Sequence, residues 1–394
     1  MLYNDFLGEK ISRLGFGTMR LPLDSEGKID EVKFGQMVDY AMANGVNYFD
    51  TAMPYHSGHS ELAVGRALAK YPRDSFFLAT KFPGHQVADS YDPAGVFEEQ
   101  LRKCGVEYFD FYLLHNVTEN SYGTYTDPKW GILDYFVEQK RLGRIRHLGF
   151  STHGKLDMMK DFLDYAGEHM EFCQIQINYL DWTLQEAKEK YELLTSMNIP
   201  VIAMESVRGG KLANLPENAQ TRLRALRPDD SDASWGYRWL QQFDNIKVIL
   251  SGLSDMSQTE DNVRTFTEDK PLSKDENSLL AEIAEELKNS IPCTSCRYCC
   301  DGCPMGINIP VIINTINDSR IAHSVNISMF IESLPADKTP MACIGCGKCV
   351  KVCPQNINIP QEFKVFSEEL RAHPTWAEIS RIRNEEAKKL RAGR

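Results

Sequence analysis

Eight cysteines in two runs of identical spacing constrain this chain more than any other feature. Cys293, Cys296, Cys299 and Cys303 follow the pattern Cys-x2-Cys-x2-Cys-x3-Cys, as do Cys343, Cys346, Cys349 and Cys353, and a proline follows each run at Pro304 and Pro354. Three thiolates two residues apart can wrap a short loop around one corner of an iron-sulfur cubane, which leaves the fourth iron to a cysteine from elsewhere. Zinc is the rival metal for paired Cys-x2-Cys elements, but it takes four sulfurs per ion, not two runs of three plus one. Nine of the 11 cysteines lie between positions 293 and 353. Such clustering points to metal and away from disulfides. The expectation is two [4Fe-4S] clusters. Cys300 is surplus to the pattern and reads as a packing thiol, as do Cys104 and Cys173.

The two runs belong to an internal repeat. Ile307-Asn308-Ile309-Pro310 follows the first and Ile357-Asn358-Ile359-Pro360 the second. The stretch between the copies, Val311 to Ala342, has helical apolar spacing and is too long for a minimal two-cluster fold, so this module is expected to be mainly helical. From Pro292 onward there are 13 Lys and Arg against 10 Asp and Glu, in a chain that carries 44 against 55 overall. This local basic excess either offsets the negative charge of thiolate-ligated clusters or forms a docking face for an acidic electron carrier.

The first 270 residues alternate short β-rich runs with amphipathic stretches. Candidate strands are 14–19, 47–51, 76–81, 109–115, 146–151, 174–179, 201–205 and 247–252, with helical patterns between them. Eight such units predict a (β/α)8 TIM barrel whose strands are buried on both faces. A doubly wound open sheet is the rival, disfavoured because Pro22 and a polar stretch follow the first strand where a glycine-rich phosphate loop would be needed. The predicted organisation is therefore α/β: a barrel over 1–270, a helical connector over 271–291, and a small two-cluster domain with a helical tail over 292–394. The net charge of −11 argues against nucleic acid as a partner. No apolar run is long enough to span a membrane, and Met1 to Phe6 lack the basic and apolar regions of an export signal, so the expected location is the cytoplasm.

Functional residues of such a barrel sit at the C-terminal ends of its strands. Reading those ends in order gives Asp50, Tyr55 just beyond it, Lys81 and His115. Any one has a bland explanation as a cap, a rim charge or a pocket filler; four at consecutive strand ends do not. His56, His59, His147 and His153 are taken to cluster around the same ends as polar pocket residues.

With these motifs the chain resembles the aldo/keto reductase superfamily, in the branch with a C-terminal 4Fe-4S dicluster domain. The resemblance rests on Gly15 to Pro22, Asp50-Thr51-Ala52 with Tyr55 and Ser60-Glu61, Thr80-Lys81, Leu114-His115, Gly149-Phe150-Ser151, Gln174 with Asn178, Met204-Glu205, Arg208 to Leu212, and Asn262. It implies hydride transfer between NADPH or NADH and a small carbonyl or alcohol substrate. Tyr55 would be the proton donor, with Lys81 favouring its phenolate, Asp50 pairing Lys81, and His115 orienting the carbonyl or sharing the proton. By the same resemblance, Ser151 and Gln174 would hold the nicotinamide carboxamide, and Gly17 and Thr18 would approach the cofactor. The loop of Arg208, Gly209, Gly210 and Leu212 would wrap the pyrophosphate, and Asn262 would contact the adenine. Three positions depart from the family pattern: Met204 stands where many members carry an aromatic that stacks on the nicotinamide, Thr152 where an asparagine is usual, and Gln258 where an arginine would pair a 2′-phosphate.

In ferredoxins with this cysteine spacing, the cysteine before the proline ligates the other cluster. That resemblance assigns Cys293, Cys296, Cys299 and Cys353 to one cluster, and Cys343, Cys346, Cys349 and Cys303 to the other. A ferredoxin or flavodoxin-like carrier is then a possible partner. Clusters pass single electrons whereas nicotinamide passes a hydride, and no flavin motif is visible to adapt one to the other.

Overall fold

The structure is a computed structural model that describes residues 1–86, 88–287, 291, 293, 297–321, 324–353 and 357–392. The chain divides into two compact units, one running from Met1 to Leu280 and taking in the last residues from Glu386, the other spanning Ala281–Glu385. Among the described residues, no helix is long and apolar enough to cross a membrane.

All eight expected barrel strands form, preceded by a hairpin that the sequence reading did not include. The hairpin is β1 (Tyr3–Phe6) against β2 (Glu9–Ser12), antiparallel. The barrel strands are β3 (Leu14–Gly17), β4 (Tyr48–Asp50), β5 (Phe77–Phe82), β6 (Phe109–Leu114), β7 (Ile145–Thr152), β8 (Phe172–Gln176), β9 (Val201–Met204) and β10 (Ile246–Gly252). They pair in parallel in sequence order and close through β10 against β3. Every residue of β6, Phe-Asp-Phe-Tyr-Leu-Leu, is buried, as a strand covered on both faces must be. The strand expected at 174–179 instead ends at Gln176, because the Asn178 side chain accepts from the Leu180 and Asp181 amides and turns the chain out of the sheet.

Hairpin residues Phe6 and Ile11 are fully buried in one cluster with Tyr48, Ala79, Phe111 and Phe172. Most of these partners stand at or near strand beginnings, so the hairpin stoppers the N-terminal end of the barrel and leaves the opposite end as the mouth. Outside the strands run α1 (Glu31–Ala43), α2 (Ser60–Leu68), α3 (Pro93–Cys104), α4 (Tyr122–Thr126), α5 (Ile132–Arg141), α6 (Leu156–Ala166), α7 (Asp181–Leu184), α8 (Ala187–Ser196), α9 (Glu217–Leu226), α10 (Asp232–Leu240), α11 (Met256–Thr267) and α12 (Lys274–Leu287).

The second unit is helical, with α13 (Tyr298–Asp301), α14 (Ile309–Ile321), α15 (Val325–Ser333), α16 (Lys348–Lys351), α17 (Ile359–Arg371) and the part of α18 (Trp376–Ala392) up to Glu385. The sequence repeat becomes a structural repeat. Each cysteine run carries one short helix, α13 or α16, and each Ile-Asn-Ile-Pro element opens a long one, α14 or α17. The short helices begin after Arg297 and Gly347, both left-handed, at φ 68° and 69°. The core between the copies is built from Ile307, Ile309, Ile357, Ile359, Phe363 and the ligand-type residues Cys299 and Cys349.

Candidate functional site

The four strand-end residues read from the sequence meet at the barrel mouth. Lys81 is fully buried, and its Nζ lies 2.6 Å from Asp50 Oδ1, 2.8 Å from the Thr51 carbonyl oxygen and 3.2 Å from Tyr55 Oη. An ammonium has three protons, and all three find acceptors here. Because Lys81 donates to the phenol oxygen, the phenol's own proton is directed elsewhere. Burial works against the charge on Lys81, but Asp50 and Tyr55 outweigh it and raise its pKa. Burial also raises the Tyr55 phenol above its ordinary value, against the pull of Lys81. The expected preference for phenolate is thus present as a contribution but is overridden, and the site holds a neutral phenol.

Tyr55 begins a tight segment in which His56 and Ser57 adopt left-handed φ of 49° and 55°. His56 Nε2 accepts from the Leu21 amide at 3.0 Å, which ties this strained turn to the loop after β3.

The His115 ring lies edge-on to Tyr55, with centroids 5.9 Å apart. A second imidazole, His85, sits 4.4 Å from His115 and is buried. Sequence reading missed it, although its place four residues past Lys81 would have exposed it to the same strand-end rule. Both loops are held by Tyr125 of α4, whose hydroxyl donates to the His115 carbonyl at 2.6 Å and the Phe82 carbonyl at 3.1 Å. Only glycine fits beside that ring, since a Cβ on Gly84 would lie 2.7 Å from it. The histidine grouping expected from sequence breaks up. His147 lies in the N-terminal half of β7, 3.3 Å from Glu171 and packed on Phe111, so it belongs to the stoppered end. His153 bonds Gln176 at 2.9 Å, and burial lowers its pKa to about 4.

Ser151 and Gln174 are cross-strand partners in the register of β7 and β8. Ser151 Oγ accepts from the Asn116 amide at 2.8 Å, and its own proton has no acceptor among the described residues. Gln174 gives its amide nitrogen to Met204 Sδ at 3.5 Å, while its buried Oε1 has no hydrogen-bond partner. One free donor beside one orphaned acceptor is the complement of a carboxamide, so these residues fit the amide of a nicotinamide.

The other cofactor-side residues are more committed to the protein itself. Thr18 is buried and donates to the Asp50 carbonyl at 2.9 Å; a Cβ on neighbouring Gly17 would crowd the Ser251 carbonyl at 3.1 Å. Thr152 bonds the Val117 carbonyl. Arg208 is buried with its guanidinium 3.4 Å from Asp181, while Gly209 and Gly210 turn at φ 63° and 94° and Leu212 is buried beneath. Exposed Arg20, not singled out from the sequence, reaches Glu205 at 3.9 Å and lies against Gly209 and Gly252. Asn262 is buried and donates to Ser251 Oγ at 2.8 Å, and Gln258 Oε1 accepts from the Ser254 amide.

In the second unit, Cys303 comes to the second cysteine run. A partly open cavity is lined by Cys303, Cys343, Cys346 and Cys349 together with Ile307, Ile309, Ile359 and Phe363. Four thiols, one from the first run and three from the second, facing one apolar cavity fit a cubane cluster. Of the other set, Cys299 is buried and Cys293 and Cys353 are half-buried, while Cys296 lies outside the described residues. Cys300 packs against the same core.

Residues 13–326 match the aldo/keto reductase family, and residues 337–357 match a 4Fe-4S binding domain. A probable aldo-keto reductase from Glycine max is 27% identical over 55% of this chain and 63% of its own length. The NADH-specific methylglyoxal reductase of Escherichia coli is 24% identical over 71% of this chain and 96% of its own length. The holo form of an aldo-keto reductase from Bacillus halodurans superposes with a TM-score of 0.56 at 26% identity, covering 70% of this chain and 93% of that one.

Proposed function

We propose that this chain, which belongs to the aldo/keto reductase family and is an NAD(P)H-dependent oxidoreductase, reduces a small carbonyl compound with Tyr55 as the proton donor. The observation that carries this reading is the Lys81 contact set: the lysine donates to the phenol oxygen and leaves the half-buried phenol free to donate outward. A nicotinamide bound on Ser151 and Gln174 supplies the hydride. As charge gathers on the carbonyl oxygen, Tyr55 delivers its proton, and the buried ammonium beside it stabilises the phenolate left behind. His115 and His85 flank the same point and orient the oxygen. Because Arg208 is engaged by Asp181, the glycine turn and exposed Arg20 are the groups that remain for a pyrophosphate. The nucleotide is proposed to be NADH: Gln258 is tied to Ser254 where an arginine would serve a 2′-phosphate, and the E. coli relative is named NADH-specific. The second unit is proposed to carry two [4Fe-4S] clusters with crossed ligation, Cys303 joining Cys343, Cys346 and Cys349, and Cys353 joining Cys293, Cys296 and Cys299.

The test is Tyr55→Phe assayed with NADH, NADPH and a panel of small aldehydes, ketones and dicarbonyls. Carbonyl reduction should fall by roughly 10²- to 10⁴-fold with nicotinamide binding retained. A variant as active as the parent removes Tyr55 from the role.

A further inference from the structure

The surface beside the cysteine-lined cavity has the make-up of a protein docking face. Met341, Ile344 and Val352 are 44%, 64% and 48% exposed, three large apolar side chains within twelve residues. Single exposed apolar residues are ordinary, but a group of them around one motif is not. Ile344 and Cys346 both line the cavity and both reach solvent. A metal held by Cys346 would therefore be close to the surface.

The charge around this apolar centre is mainly basic. Lys348 and Lys351 of α16 are exposed and make no ion pair among the described residues. Of the acids on neighbouring elements, Asp337 pairs with Lys338 at 3.2 Å and Glu362 pairs with Arg320, while Asp301 of α13, the helix packed on α16, is exposed. Lys338 is itself occupied, donating to the Met305 carbonyl at 2.7 Å. An apolar centre beside two exposed, unpaired lysines favours a partner whose own apolar contact is ringed by carboxylates.

We propose that the face formed by Met341, Ile344, Cys346 and Val352, rimmed by Lys348 and Lys351, docks an acidic one-electron carrier protein of the ferredoxin class. The proposal rests on the cluster reading given above. The exchange makes and breaks no bond: the carrier loses one electron and the metal centre behind Cys346 gains it.

The experiment uses the full chain, anaerobically loaded with iron and sulfide, and a reduced acidic [2Fe-2S] ferredoxin as probe. Lys348→Glu/Lys351→Glu should weaken ferredoxin binding at least 10-fold at low salt and flatten its dependence on ionic strength. Electron transfer from the ferredoxin, followed by absorbance, should slow in parallel. Reduction by a small photoreductant should stay equal in both proteins, which shows that the variant is folded and loaded. Equal binding and an equal salt slope in parent and variant overturn the proposal. So does a self-association of the chain that the variant abolishes while ferredoxin binding is unchanged, since the face would then serve a second copy. A parent chain that takes up no iron overturns the cluster reading beneath it, a result separable from the others by metal analysis alone.

Discussion

Gln174 is one of the barrel residues with a buried polar atom that finds no hydrogen-bond partner. A buried amide oxygen without a partner has lost its water for nothing, a cost of about 1–3 kcal/mol. A carboxamide N–H would relieve that cost, so binding and folding pull in opposite directions at this position. Gln174→Leu should weaken NADH binding about 10-fold in a fluorescence titration while leaving the free protein as stable or more so. Unchanged affinity would show that the orphaned oxygen serves some other purpose. Tyr55 obeys a related logic: burial raises its phenol pKa above the ordinary value in spite of Lys81. His85 enters this group only in the folded molecule, through its contact with His115.

Among the elements, the two cysteine runs share a cavity, and the proposed crossed ligation can be tested there. The cavity that gathers Cys343, Cys346 and Cys349 also takes Cys303, which belongs in sequence to the other run. Iron counting on variants separates crossed from uncrossed ligation. Cys303→Ala should lower bound iron and sulfide by about half. Adding Cys346→Ala should lower it no further, because both residues serve one centre; near-complete loss in the double variant would mean that each run keeps its own. The helices after the runs show why the repeat was readable. Ile307 and Ile309 in one copy and Ile357 and Ile359 in the other all enter one core, so the repeated motif is a packing requirement as well as a metal one.

For the molecule as a whole, part of the loss of stability in acid is traced to one half-buried histidine. His153 has a folded pKa of about 4, below the ordinary value of about 6.5, and burial is the main cause. Between these values the unfolded chain binds a proton that the folded chain refuses, so stability is fully present above about pH 6.5 and declines as pH falls toward 4. His153→Asn should flatten the thermal midpoint over that window by the share of one proton; an identical slope in the variant would rule His153 out as the source.

What could be read along the chain were features whose physical cause is local or periodic. Eight buried strands alternate with eight amphipathic helices because each must cover the last, and strand ends carry Asp50, Tyr55, Lys81 and His115 because side chains there face the mouth. Cysteine spacing is likewise a local constraint, set by the size of a metal corner. The β1–β2 hairpin escaped because two four-residue strands carry no period to detect, and His147 was misplaced because proximity in sequence does not say which end of a strand a residue occupies. Contacts between distant segments were decided only in three dimensions. Tyr125 spans the loops after β5 and β6, Asp181 claims Arg208, and Cys303 crosses to the other run, each because folding brings together groups whose separation along the chain carries no signal of their distance in space.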